Sequence, residues 1–441
     1  MRRAVLVVLD GLRRDFVTAE QTPHLAAFAA RAERFPFYRS AFPSATRVVS
    51  ATLATGCWPA RHELQGNSLA LVENGALVPH DAGHPDFLQH KRRATGRSLA
   101  VPTLAERLAP HGGAIVFNNV SPGAAYAHDP DGHGHVYHRV GSFGPGRTPL
   151  PEAEQLRITL DAEGDRRMTE RFVAEVLAAR RPALAVLWMG EPDHIQHNAP
   201  LGSPAHLDTL RAADRNAATV MAAVDKLRES GDDVLLIVGS DHGHQTVGGI
   251  VDIDAELIAA GLKESEASRD VLAISNGTSA LVYVHPDHHD RLPRLATFFR
   301  AQPWAGAVIA ADALGDIGQA PRHGLAFAIS MRADDTPNQH GVPGTSLAAK
   351  PRDGKPDRLG CGQHGGLAAF EQSPFLMIDG AGFGRGAERA EEVRVVDLAP
   401  TILRHLGVGH GDMDGRPLQS SAPRAETQPK ETPPCEAPLV P

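Results

Sequence analysis

The sequence predicts an α/β fold: a mostly parallel sheet with helices on both faces, plus an inserted cap region. Three observations predict it. Short, wholly apolar runs recur along the chain, segments with helical periodicity separate them, and acidic residues stand within two positions after three of the runs. Runs that are apolar on every position suit strands buried on both faces, and strands alternating with helices argue for parallel pairing. The strand candidates are AVLVVL (4–9), AIVF (114–117), LAVLWM (184–189) and VLLIVG (234–239). The helix candidates are PHLAAFAARAERF (23–35), RRMTERFVAEVLAARR (166–181) and AHLDTLRAADRNAATVMAAVDKLRES (205–230). In the last, Leu207, Leu210, Ala213, Ala217 and Val220 fall on one helix face. Between about 244 and 363 the alternation weakens. SALVYVHP (279–286) reads as a strand, HHDRLPRLATFFRAQ (288–302) as a helix, and GVPGTSLAAKPRDGKPDRLG (341–360) as a Gly/Pro-rich loop. After it, FLMIDG (375–380) and VVDLAPTILRHLG (395–407) return to core-like patterns.

This gives a division into a core (1–243, with insertions in 70–183), a cap or insertion (244–363), the last part of the core (364–410) and a proline-rich, disordered tail (411–441). The 441 residues carry 22% charged and 42% hydrophobic side chains, as expected of a globular protein. A net charge of −8 argues against a general binder of nucleic-acid polymers or of membrane surfaces. Cys57, Cys361 and Cys435 imply no disulfide framework. The apolar run Ala4–Leu9 stops at Asp10, too short for a signal-peptide core, and no segment is long and apolar enough to span a bilayer. The expectation is a soluble cytoplasmic protein acting on a small molecule.

In open α/β sheets, ligands bind beyond the carboxyl ends of the strands. Asp10 directly follows AVLVVL, Asp241–His242–Gly243 follows VLLIVG after one serine, and Glu191–Pro192–Asp193 follows LAVLWM. His197 lies about one helical turn beyond Asp193. Carboxylates from three strand ends would repel one another and raise each other's pKa values. Divalent cations resolve that conflict. A mixed Asp/His set suits zinc, or manganese if oxygen dominates. Each element alone has an ordinary reading as a helix cap or a solvated face, and it is the joint pattern that points to metal.

Taken together, VVLDG (7–11), EPDHIQH (191–197), SDHGH (240–244) and QHGG (363–366) resemble the alkaline phosphatase superfamily. The nearest branch is the type I phosphodiesterase/nucleotide pyrophosphatase family. The resemblance implies that core fold and two divalent metal ions, most often zinc. One metal would be held by Asp193, His197 and His364, the other by Asp10, Asp241, His242 and the nucleophile oxygen. QHG occurs twice, at 339–341 and 363–365, so His340 rivals His364, which is preferred because SPFLMI follows it. His244 stands where the family often has methionine, and reads as either a supporting residue or an exposed one.

The nucleophile falls within FPSATRVVSATLATGCWPARHELQGN (42–67). In the diesterase register a threonine is followed by TG, proline, histidine and asparagine, and Thr46, Thr55–Gly56, Pro59, His62 and Asn67 fill every position. Thr46 also opens a helical pattern, whose first N–H groups suit an anionic phosphoryl group, although Ser44 or Thr46 could equally be a plain N-cap. The resemblance makes Thr46 the nucleophile of a phosphothreonine mechanism and Asn67 a donor to a phosphoryl oxygen. CWPAR (57–61) is a formylglycine-type pentapeptide, but Cys57 follows the TG and so lies out of register for a sulfatase. Arg47 departs from the family, which usually has an aromatic residue there. It is a candidate to bind a second negative charge on the substrate. The expected activity is therefore a two-metal phosphodiesterase or nucleotide pyrophosphatase. The alternatives are a phosphonoacetate-hydrolase-like C–P hydrolase, a phosphomonoesterase, a catalytically silent phosphate-ester binder and a sulfatase.

Overall fold

The computed structural model describes residues 1–352 and 354–420. Its centre is a nine-stranded sheet in the order Glu33–Arg34, Leu376–Asp379, Asp233–Gly239, Arg2–Leu9, Leu184–Met189, Ala114–Asn118, His135–Tyr137, Phe143–Gly144, Thr148–Pro149. The middle five strands pair in parallel, and Leu376–Asp379 joins antiparallel to Asp233–Gly239. Period-two alternation splits the first strand between two cores. Val5, Val7 and Leu9 pack with Leu210, Ala217 and Val220 of the helix Pro204–Glu229. Ala4, Leu6 and Val8 pack with Val48 and Val49 of the helix Thr46–Thr55 and with Ile402 of the helix Leu398–Leu406. Helices therefore cover both faces, which explains strands without a polar position. Fully burying each such Val or Leu stabilises the fold by about 1.5–3 kcal/mol before conformational entropy is counted.

Some elements depart from the sequence reading. The helix expected over 23–35 ends at Phe28, because Glu33 and Arg34 pair with Leu376–Asp379 as the edge strand of the sheet. There Glu33 is buried, accepting from Gly384 N and Arg389, and a tertiary pairing overrides the helical periodicity. The helix expected over 166–181 starts earlier, as Ala162–Arg171, and continues as a wider π-helix over Phe172–Arg180. The loop expected over 341–360 contains a strand, Thr345–Ala349, parallel to Gln245–Val251.

Between 245 and 363 the chain forms two four-stranded sheets apart from the central one. Leu257, Val282, Phe299 and Ile329 belong to a hydrophobic cluster confined to this region. Beyond residue 410 the chain stays against the core as far as Ser420: Leu418 is buried, and Asp414 accepts from the N–H of Trp58. The rest of the expected tail, 421–441, lies outside the described residues. Among the described residues, no helix is long and apolar enough to cross a membrane.

Candidate active site

Two clusters of polar side chains lie beyond the carboxyl ends of the central strands. The first joins Asp10, Asp241 and His242, all fully buried or nearly so. Asp10 directly follows the first strand, and its Oδ2 accepts from Trp188 Nε1 at 2.7 Å. Asp241 follows Asp233–Gly239, and its Oδ1 accepts from Gly11 N at 3.0 Å. The second oxygens, Asp10 Oδ1 and Asp241 Oδ2, are buried without a hydrogen-bond donor. His242 Nε2 lies 3.1 Å from Asp241 Oδ2, 3.5 Å from Asp10 Oδ1 and 3.1 Å from Thr46 Oγ1.

The second cluster joins Asp193, His197, His244 and His364. Asp193 Oδ1 lies 3.4 Å from His197 Nε2, 3.6 Å from His364 Nε2 and 2.8 Å from His244 Nε2. The rings of His242 and His364 stack with centroids 3.6 Å apart, so the clusters adjoin. His340 is exposed and in neither cluster.

The imidazole tautomers follow from their partners. His242, His197 and His364 each direct Nδ1 at a backbone carbonyl, of Gly243 (3.1 Å), Gly362 (2.9 Å) and Ser44 (2.7 Å). A carbonyl can only accept, so Nδ1 carries the proton and each Nε2 lone pair faces the carboxylates. Metal-binding histidines are held in this way. Burial pushes Asp10 well above the usual carboxylate range, and Asp241 and Asp193 push it further. Burial likewise raises Asp241. Burial alone would lift Asp193, but His197, His244 and His364 outweigh it and hold its carboxyl well below the usual range. Burial lowers His197, lowers His364 well below its usual value, and takes His244 down to about 3. Orphaned carboxylate oxygens facing neutral imidazole lone pairs form an acceptor-only site. The donor set fits divalent metal ions: nitrogen-rich around Asp193, and oxygen-rich around Asp10 and Asp241.

Thr46 is the first residue of the helix Thr46–Thr55. Ala45 is the N-cap, and no side chain caps the helix. The Thr46 hydroxyl is thus free of the capping role and meets His242 instead, while Ser44 Oγ donates to Gly366 O. Asn67 Oδ1 accepts from Arg47 N at 3.0 Å, which leaves the amide NH2 to face the adjoining cavity. That cavity, about 480 Å³, is lined by Asn67, His197 and His364 and, from the 245–363 region, by Asn276, Lys355 and Arg358. Arg47 also lines it, but its guanidinium is bound to Ser121 Oγ (3.1 Å), Asn67 O (3.0 Å) and Asp81 (3.3 Å). Burial lowers its pKa. Cys57 is buried past the far end of the helix and lines neither cluster nor this cavity. Burial pushes its thiol up, as for an inert core cysteine.

The structure therefore brings Asp10, Thr46, Asp193, His197, Asp241, His242 and His364 together, with Asn67 and Arg47 on the adjoining wall. It also answers the question about His244, which is fully buried against Asp193 rather than exposed. Trp188 was not foreseen at all.

Residues 4–308 match the model of one family, type I phosphodiesterase / nucleotide pyrophosphatase. No curated protein matches the chain in sequence. Among solved structures, murine ectonucleotide pyrophosphatase/phosphodiesterase 5, in an inactive variant with AMP, superposes with a TM-score of 0.66 at 17% identity, covering 94% of this chain and 97% of that one. The human counterpart gives 0.63 at 15% identity, with the same coverage. Phosphonoacetate hydrolase from Sinorhizobium meliloti 1021, with phosphonoformate, gives 0.64 at 17% identity over 92% of this chain and 95% of that one. At such identities the likeness shows a shared fold.

Proposed function

This chain belongs to the type I phosphodiesterase / nucleotide pyrophosphatase family and is a phosphoester hydrolase of that type, and from that premise we propose that it cleaves small-molecule phosphate esters through Thr46 with the help of two zinc ions. The observation that carries this reading is the contact of Thr46 Oγ1 with His242 Nε2 at 3.1 Å, beside two buried carboxylate oxygens without donors. We assign one ion to Asp193, His197 and His364 and the other to Asp10, Asp241, His242 and Thr46, with manganese as the oxygen-rich alternative. Bound there, the ions would neutralise the carboxylates, lower the pKa of the Thr46 hydroxyl and offset charge on the reacting phosphoryl group.

The chain's own residues do the rest. Thr46 Oγ forms a bond to phosphorus as the bond from phosphorus to the leaving oxygen breaks, giving a phosphothreonine. Water then releases the phosphoryl group and restores the hydroxyl. The free N–H groups at the start of the helix Thr46–Thr55 face the anion. Asn67, its Oδ1 occupied by Arg47 N, has only donors left to offer a non-bridging oxygen. Arg47 lines the binding wall and shapes it by holding Asn67 and Asp81. Region 244–363 acts as the cap that selects the substrate, since it contributes Asn276, Lys355 and Arg358 to the lining of the cavity.

One observation favours a second reading. The lining includes Arg47, Arg352, Lys355 and Arg358 but, among the described residues, no Phe, Tyr or Trp on which a nucleobase could stack. A small anionic substrate such as a carboxylated phosphonate suits such a wall. A panel of bis-aryl diester, pyrophosphate, monoester, phosphonoacetate and sulfate ester, run with metal analysis on the same sample, separates the readings. The leading one expects the diester to outpace the monoester and phosphonoacetate, and the reverse order overturns it. Thr46→Ala should keep its metals and lose turnover by a factor of about 10³ or more. Undiminished turnover in that variant would remove Thr46 as the nucleophile.

A further inference from the structure

A third cluster of metal-ligating side chains lies outside both groups described above. Glu73 ends the strand Ser68–Glu73, His80 lies on its hairpin partner Ala76–Asp81, and His90 lies on the helix Phe87–Thr95. The hairpin and the helix direct three donors at one point. His80 Nε2 and His90 Nε2 each lie 2.7 Å from the same oxygen, Glu73 Oε1. The rings of the two histidines are 4.7 Å apart, and the His80 ring packs against Phe87, with centroids at 5.8 Å. The three ligand atoms lie within 4.8 Å of one another, as do those of the two clusters beside Thr46.

We propose that Glu73, His80 and His90 form a separate zinc site, with two imidazole nitrogens and one carboxylate oxygen as protein ligands and the remaining position open to water. Two histidines and a carboxylate are a complete protein set for a three-ligand zinc site, and both imidazoles present the same ring nitrogen. A cation between them, at bonds of about 2.0–2.2 Å, requires the donors to move apart by about 0.7 Å. The cluster has that freedom, because the His90 side chain is 37% exposed. An open cavity of about 370 Å³, lined by His80, His84, Asp86 and His90, supplies the access route and room for water. Two neutral imidazoles and one carboxylate leave a bound divalent ion with a single net positive charge.

The site would tie the hairpin to the helix one residue before Asp81, whose carboxylate meets Arg47 and Lys355 on the wall of the catalytic cavity. It is independent of the reaction assigned to Thr46, because none of its ligands belongs to the other two clusters.

The test compares the full chain with His90→Ala and Glu73→Gln, each stripped with a chelator, reloaded with zinc chloride and desalted. Elemental analysis should find one zinc per chain fewer in each variant than in the wild type. Calorimetric titration with zinc chloride should show one site fewer. His90 and Glu73 are partly exposed, so both variants are expected to fold, and circular dichroism checks this. Equal zinc content and equal titrations in the wild type and the folded His90→Ala chain overturn the proposal. Because the reading is a difference between two chains, it stands or falls whatever the occupancy beside Thr46.

Discussion

His244 touches neither Thr46 nor the cavity, yet its Nε2 sits 2.8 Å from Asp193 Oδ1 and its ring is fully buried. Burial, offset only in part by Asp193, keeps the imidazole neutral, with its pKa at about 3. A neutral ring with Nε2 toward a carboxylate donates from that nitrogen, which fixes the rotamer of Asp193 and leaves Nδ1 without a partner. We therefore expect His244→Ala to weaken zinc binding at the Asp193 cluster by about 10–100-fold, the usual cost of losing such a support. Competition with a chromophoric chelator measures it, and unchanged affinity would reduce His244 to packing. Asp10, Asp193 and Asp241 were legible in the sequence because three acidic positions follow three buried strands within four residues, a joint pattern that caps and turns do not explain. His244 was not, because its role depends on a carboxylate some fifty residues away, brought alongside only by strand pairing.

The turn after the first strand shows how one element sets two ligands at once. Gly11 has φ +69° and donates its N–H to Asp241 Oδ1, while Asp10 O accepts from Asp193 N at 3.0 Å. A Cβ at position 11 would lie 2.7 Å from His244 Nε2 and 3.1 Å from the Asp193 Cβ. Gly11→Ala is thus strained in its backbone and crowded by the site. We expect a loss of about 1–3 kcal/mol in urea unfolding and a lower zinc content. An alanine variant with the wild-type midpoint and metal content would show that the turn relaxes freely. The strands that carry the site were readable as elements because they are buried on both faces and apolar throughout. The edge pair Glu33–Arg34 and the strand Thr345–Ala349 were not, since polar partners and neighbouring glycines mask them and only tertiary pairing makes them strands.

Over the whole molecule, acid stability draws on buried groups that belong to neither of the two clusters beside Thr46. His62, His128, His138 and His206 are buried, and burial is the first cause taking them to about 3, 4, 3 and 4 respectively. In the unfolded chain a histidine titrates at about 6.5. Between about pH 6.5 and 4 the unfolded state therefore binds protons that the fold refuses, and stability falls as the pH falls. Asp165 and Glu371 act in the opposite direction. Burial raises both to about 7, so the fold takes up their protons well before the unfolded chain does, and stability gains as the pH falls through the same window. Among these six groups the four histidines outnumber the two carboxyls, so together they make the unfolded state bind more protons and the fold lose stability as the pH falls. His128 lends itself to a test, because its Nε2 is buried without a partner and burial is the sole cause of its shift. Urea unfolding at pH 6.5, 6.0, 5.5 and 5.0 should give His128→Leu a slope shallower than the wild type by about 1 kcal/mol per pH unit. Release of metal in acid affects both chains alike and cancels in the comparison. Parallel curves would mean that His128 takes up its proton within the fold, and that the buried histidines are not what destabilises the protein in acid.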